Sequence, residues 1–163
     1  MDKVKWVVAQ SLIGGMPIGF ENGFGNPPSA IITAGFKNDE HYIKYMNETK
    51  NYNIPVINMK TDYETFVTEN DEKLYNEVVK NGIDVFMHVA VCAGLSSLNS
   101  CNSCESTKRR GDPDNDQNQN MYALTKLGFR MGAKVVTFEN APAAYTKSGK
   151  ETMDRLDEFA KDY

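Results

Sequence analysis

The stretch Asp84-Val85-Phe86-Met87-His88-Val89-Ala90-Val91 is almost wholly apolar and gives the first indication of the fold. A continuous apolar run of this length is typical of a central strand in a parallel sheet, because helices cover both of its faces. The other predicted strands are Val4 to Ala9, Ala30 to Ala34, Pro55 to Met59 and Lys134 to Phe138.

Helical patterns separate these strands along the chain. Helices are predicted over Asp39 to Lys50, Glu69 to Lys80, Met121 to Met131 and Lys150 to Phe159, and a short helix is expected after the glycine-rich turn at Gly14. Strands that alternate with helices imply βαβ units and a parallel sheet. The expected fold is therefore α/β, with a doubly wound, mostly parallel sheet.

Composition indicates a globular protein of one domain spanning residues 1–163, with 40% hydrophobic and 25% charged residues. The 18 basic and 22 acidic residues give a net charge of −4, which excludes a broad basic surface for nucleic acid but leaves room for a local basic patch. No apolar run approaches the roughly 20 residues of a membrane helix. The start, Met1 to Trp6, lacks the pattern of a signal peptide, so we expect a cytoplasmic protein without a membrane partner.

The residues that follow each strand are the candidate site residues, because doubly wound sheets bind ligands at the carboxyl ends of their strands. Ser11, Ile13, Gly14 and Gly15 follow the first strand. Paired glycines let the backbone approach a ligand closely and open a helix whose amides face it. A tight turn with no ligand is the alternative interpretation.

Acidic residues follow the second and third strands. Asp39 is placed to accept hydrogen bonds from both hydroxyls of a nucleotide ribose. The alternative is that Asp39 only begins the next helix, where a carboxylate suits the helix dipole. Asp62 could accept a hydrogen bond from an adenine amino group. The alternative is that Asp62 is an ordinary loop residue.

A cysteine and a glutamate follow the fourth and fifth strands. Cys92 precedes a small flexible turn and is well placed as a nucleophile, although many cysteines are simply buried hydrophobic residues. Glu139 ends an apolar strand, where partial desolvation would favour its protonated form and suit a proton donor. A helix cap or an ion pair is the alternative for Glu139. We expect the thiol and the carboxyl to meet at one edge of the sheet.

The long polar stretch from Ser96 to Asn120 has no hydrophobic periodicity, which is typical of a functional or a disordered loop. His88, inside a predicted strand, is more typical of a core histidine than of a ligand. Cys101 and Cys104 have the spacing of half a zinc site. Because the chain has three cysteines and two histidines, free thiols or an air-formed disulfide are favoured over structural zinc, and no metal site is expected.

The order of these motifs resembles that of the DNA (cytosine-5) methyltransferase family. The run from Asp84 to Ser96 is similar to the family's catalytic block, Asp-hydrophobic-hydrophobic-x-Gly-Gly-Pro-Pro-Cys-Gln-Gly-Phe-Ser. Lys134 to Pro142 resembles the Glu-Asn-Val block with its strand, and Ile13 to Phe20 resembles the glycine-rich cofactor block. Arg110 to Tyr122 resembles the segment from Arg-Gly to Asp-Pro-Arg-Asn-x-Leu-Phe. The chain departs from these blocks at Gln10, Leu12, Val89, Ala90, Val91 and Ala93.

The resemblance implies a Rossmann-like class I methyltransferase fold and S-adenosylmethionine as cofactor. Cys92 would attack carbon 6 of a flipped cytosine, and Glu139 would protonate ring nitrogen 3, so that carbon 5 accepts the methyl group. The implied cofactor-binding residues are Ser11, Ile13, Gly14, Gly15, Asp39 and Asp62. The implied DNA-binding residues are Ser96 and the basic cluster Lys108, Arg109 and Arg110, for which a solvated charged run is the alternative.

The family's target-recognition region has no counterpart in residues 1–163. We therefore expect a fragment or one part of a split enzyme, with a second polypeptide supplying that region, in a bacterial or phage-infected cell. One alternative is a catalytically inactive methyltransferase-like module with a binding or regulatory role. Another is an unrelated nucleotide-binding α/β enzyme.

Overall fold

The computed structural model describes residues 3–11, 14–33, 39–61, 66–68, 71–89, 114, 116–139 and 149–162. The strands within these ranges are β1 (Trp6–Ala9), β2 (Ala30–Thr33), β3 (Val56–Thr61), β4 (Phe66–Thr68), β5 (Val85–Val89) and β6 (Val135–Glu139). The helices are α1 (Gly15–Phe24), α2 (Asp39–Lys44, continued by a π-helical turn over Tyr45–Thr49), α3 (Glu72–Lys80), α4 (Asp116–Arg130) and α5 (Lys150–Lys161).

The strands form one sheet in the order β4-β3-β2-β1-β5-β6. Neighbouring strands are parallel throughout the series β3-β2-β1-β5-β6, and β4 pairs antiparallel with β3. The chain runs outward from β1 to β3 and then crosses to β5 on the other side of β1. The direction of winding therefore reverses between β1 and β5, which is where doubly wound sheets bind ligands. The predicted doubly wound, mostly parallel sheet is confirmed.

Helices cover both faces of the sheet, because successive strand residues point to opposite sides. Val7 and Phe86 pack with residues of α3 and α4 on one face. Trp6 and Val8 pack with residues of α1 and α2 on the other face. Both faces of the central strands are thus buried, as the apolar sequence of β5 predicts.

Helix α4 packs closely on β5 and β6. A Cβ added at Gly128 would lie 2.7 Å from Phe86 Cδ1 and 2.9 Å from Val136 Cγ2, so glycine lets the helix backbone approach the sheet. Such a close contact leaves α4 little freedom to move across the sheet.

Two sequence predictions differ from the structure. Strand β4 was not expected, because three residues are too few to give a periodic pattern. Helix α4 begins at Asp116 and not at Met121. Its first five residues are polar and therefore gave no apolar periodicity, although the side chains of Asn118 and Asn120 are buried. In the part of the chain that the structure describes, no helix has the length and apolar character needed to cross a lipid bilayer.

Candidate functional site

A glycine turn follows β1 and leads into α1. Gly14 has φ +87°, a left-handed conformation that glycine adopts without strain, and a Cβ there would lie 2.5 Å from Tyr42 Cδ2. Its N–H donates to the Ser11 carbonyl at 2.9 Å, and its carbonyl accepts from the Ile18 N–H at 3.0 Å. Gly14 is the N-cap of α1 and offers no side-chain oxygen to the amides of its first turn.

A serine and an aspartate join the ends of β1 and β2. The Ser11 hydroxyl donates to Asp39 Oδ1 at 3.4 Å, and each residue is about 1% exposed. Asp39 is also the first residue of α2, so its carboxylate lies at the positive end of a helix, as the alternative interpretation predicts. The structure thus brings Ser11, Gly14 and Asp39 together, and Gly15 is exposed at the start of α1.

A buried pair of amides links the end of β1 to the start of α4. Gln10 Nε2 donates to Asn120 Oδ1 at 3.3 Å, and Asn120 Nδ2 donates to Gln10 Oε1 at 3.1 Å. The sequence indicated neither contact, because the two residues are separated by more than a hundred positions. No local pattern identified Asn120, because it is the last residue of a long polar stretch.

His88 lies one residue before the end of β5 and is fully buried, which confirms the prediction of a core histidine; a fully hydrogen-bonded ring was expected, but Nδ1 has no partner among the described residues. The Thr125 hydroxyl donates to the Met121 carbonyl at 2.9 Å, so it accepts from His88 Nε2–H at 3.1 Å. The imidazole also stacks on Phe138, with ring centroids 5.3 Å apart. Burial lowers the pKa of His88 to about 3, because the apolar surroundings disfavour the imidazolium.

Glu139 is the last residue of β6 and pairs in register with Val89, the last residue of β5. The partial desolvation predicted for its side chain is wrong, because Glu139 is exposed. The physical reason is its place on an edge strand, on the same face as Val135, which is itself 53% exposed. The carboxylate therefore stands in solvent at the carboxyl edge of the sheet.

The other predicted site residues lie outside the described ranges: Ile13, Asp62, Cys92, Ser96, Lys108, Arg109 and Arg110. Cys101 and Cys104 lie outside them as well. Among the residues that the structure does describe, no three His, Cys, Asp or Glu side chains come together as a metal site.

The carboxyl edge thus combines the amides of a helix N-terminus with a buried carboxylate and an exposed one. Groups of this kind bind ligands that carry both hydroxyl donors and a negative charge. No model of a known protein family matches the chain, and a search of curated proteins finds no match either.

Proposed function

We propose that the chain is the catalytic part of a DNA (cytosine-5) methyltransferase. The observation that carries this proposal is the register of β5 and β6, which sets Val89 opposite Glu139. Cys92 follows Val89 by three residues in the sequence. Strand β5, which precedes the thiol in the sequence, and strand β6, which carries the carboxyl, therefore end side by side, and β5 also pairs with β1, which leads toward the glycine turn.

The residues around the glycine turn fit a nucleoside cofactor. Gly14 gives the turn its left-handed conformation and lets Tyr42 pack against it, and the Asp39 carboxylate, once uncovered, is a good acceptor for ribose hydroxyls. The N-terminus of α1 favours a carboxylate such as that of an amino acid. Ser11, Ile13, Gly14, Gly15, Asp39 and Asp62 would hold S-adenosylmethionine, which supplies the methyl group when it is bound.

The side chains of the chain itself would activate the cytosine. The Cys92 thiolate forms a bond to carbon 6, and the displaced electron pair moves toward ring nitrogen 3. The Glu139 carboxyl donates a proton to that nitrogen, so charge does not accumulate on the ring. Carbon 5 becomes nucleophilic as a result. After methylation, a solvent water takes the carbon 5 proton, the released electron pair expels the thiolate, and Glu139 takes back the proton from ring nitrogen 3, which restores the ring. The exposure of Glu139 leaves its carboxyl accessible to an incoming base, and desolvation by the bound base would have to supply the protonated form that this step needs.

DNA is the proposed macromolecular partner, and the target cytosine has to leave the duplex to reach the thiol. Ser96, Lys108, Arg109 and Arg110 would contact phosphates, which contributes affinity and not sequence preference. A second polypeptide would supply sequence recognition. The proposed setting is the cytoplasm of a bacterial or phage-infected cell.

A catalytically inactive binding or regulatory module is the second candidate. The burial of Asp39 favours it, because a carboxylate about 1% exposed and bonded to Ser11 must be uncovered before it accepts ribose hydroxyls. The two candidates differ in whether the Cys92 thiol forms a covalent bond with the cytosine.

Two measurements test the proposed function. Calorimetric titration with S-adenosylhomocysteine should show micromolar binding. DNA containing 5-fluorocytosine, with S-adenosylmethionine present, should then form a covalent adduct with the chain. Cys92→Ser should abolish the adduct, and Cys101→Ser should leave it unchanged as the matched control. Glu139→Gln should slow adduct formation by about 10²–10⁴-fold. Binding without an adduct would favour the inactive module, and an adduct that survives Cys92→Ser would disprove the assignment of the nucleophile.

A further inference from the structure

The side-chain amides of Gln10 and Asn120 form two reciprocal hydrogen bonds. Each side chain donates to the oxygen of the other, and their exposures are 0% and 6%. Buried polar pairs of this kind hold one geometry strongly, because losing either partner leaves an amide that is desolvated and unbonded. The pair therefore fixes the position of two chain segments that are 110 residues apart in sequence.

The backbone of Gln10 is held in an unusual conformation. Its φ is +50°, a left-handed value that is unfavourable for a residue other than glycine. The Gln10 N–H still donates to the Ile32 carbonyl of β2 at 3.1 Å. Strain of this kind persists only where surrounding contacts determine the conformation, and here they are the bond to β2 and the amide pair. Ser11 and Gly14 follow directly, so Gln10 sets the start of the glycine turn.

Asn120 lies near the start of α4, and this helix rests on the sheet through Gly128. In the sequence, α4 follows the segment that contains Cys92 and the basic cluster from Lys108 to Arg110.

We propose that Gln10 and Asn120 are positioning residues that couple the glycine turn to the start of α4. A ligand that stabilises the turn then also stabilises the start of α4. The identity of that ligand, S-adenosylmethionine or its demethylated product, rests on the proposed function. The coupling itself rests on the amide pair.

Amide hydrogen exchange on the unliganded chain tests the coupling without any cofactor. Gln10→Met keeps the length of the side chain and removes its donor and acceptor. It should speed exchange in residues 118–122 at least about tenfold relative to α3, which serves as the internal reference for global stability. Asn120→Leu should speed exchange in residues 10–15 in return. Thr125→Val, which removes a different buried hydrogen bond of α4, should leave residues 10–15 unchanged.

The double variant Gln10→Met/Asn120→Leu separates positioning from simple stability. Replacing both amides by apolar groups leaves none unbonded, so the double variant should regain the global protection that the single variants lose. S-adenosylhomocysteine should slow exchange in residues 118–122 of the natural chain at least about fivefold, and it should not do so in the double variant. Gln10→Met and Asn120→Leu should weaken its binding, because a coupling between the turn and α4 acts in both directions.

The outcomes distinguish this proposal from the proposed function. If exchange in residues 118–122 of Gln10→Met rises only in step with α3, the pair is merely structural and the coupling is disproved. If the unliganded variants respond reciprocally but S-adenosylhomocysteine does not bind, the coupling stands and the proposed function fails. If the cofactor product binds but slows exchange equally in the natural chain and the double variant, the proposed function stands and the coupling fails.

Discussion

The two edges of the sheet are joined by different kinds of contact. At the amino edge, Asp84 accepts hydrogen bonds from the Lys5 N–H at 2.9 Å and from Lys134 Nζ at 2.7 Å, and these groups are largely exposed. At the carboxyl edge, the polar contacts between Gln10 and Asn120 and between Ser11 and Asp39 are buried. The contacts of Asp84 at the amino edge are thus ones that water can replace, whereas these two pairs at the carboxyl edge are shielded from water.

This difference indicates where the fold depends on specific side chains. Exposed ion pairs contribute little to stability, because water and salt compete for both partners. Buried polar groups have to be satisfied by other protein groups, so each one constrains its neighbours. The carboxyl edge of this sheet is therefore the less tolerant of the two, as expected of the edge that carries the candidate site.

Gly14→Ala should have the largest effect of the changes considered. The left-handed φ of +87° and the contact of the new Cβ with Tyr42 should together lower the free energy of unfolding by about 3 kcal/mol. Gly25 has a similar φ of +70° but nothing within 4 Å of a Cβ, so Gly25→Ala should cost only about 1 kcal/mol. Urea unfolding of both variants measures the difference. Equal losses would show that Tyr42 moves aside freely.

Acid should weaken the carboxyl edge through His88. Its pKa is about 3 in the folded chain, against an ordinary value of 6.5, so the unfolded chain takes up a proton that the folded chain refuses. Stability that is present above pH 6.5 should fall by about 1.4 kcal/mol for each pH unit from there toward pH 3. His88→Gln retains a donor for Thr125 and does not titrate, so this dependence should disappear from the variant.

Urea unfolding between pH 7.5 and pH 4.5 compares the natural chain with His88→Gln. The difference between the two free energies should change across this range, whereas His41→Gln, at an exposed position, should follow the natural chain. Parallel curves for the natural chain and His88→Gln would contradict the buried neutral imidazole.

Asp84→Asn should have the smallest effect, because it changes the exposed amino edge. The Lys134 ammonium and then the Lys5 N–H lower the pKa of Asp84, so the carboxylate is charged at neutral pH. Its loss should lower Tm by at most about 3 °C, and by less at 1 M salt. Thermal unfolding at low and high salt measures this. A larger loss that salt does not reduce would show that the two edges do not differ as described.

The sequence by itself determined the α/β class and the doubly wound sheet. The apolar run of β5 and the alternation of strands and helices are local patterns, and burial on both faces is their only consistent explanation. Sequence also located Ser11, Gly14 and Asp39 at strand ends, because ligand-binding turns have their own residue preferences.

Only the tertiary structure decided which side chains meet. The pairing of Gln10 with Asn120 joins residues 110 positions apart, and no local pattern encodes a contact across that separation. The exposure of Glu139 follows from its place on an edge strand, and the apolar sequence of β6 did not distinguish it from an internal strand. Local periodicity reports which residues are buried, whereas partners and exposure depend on how distant elements pack.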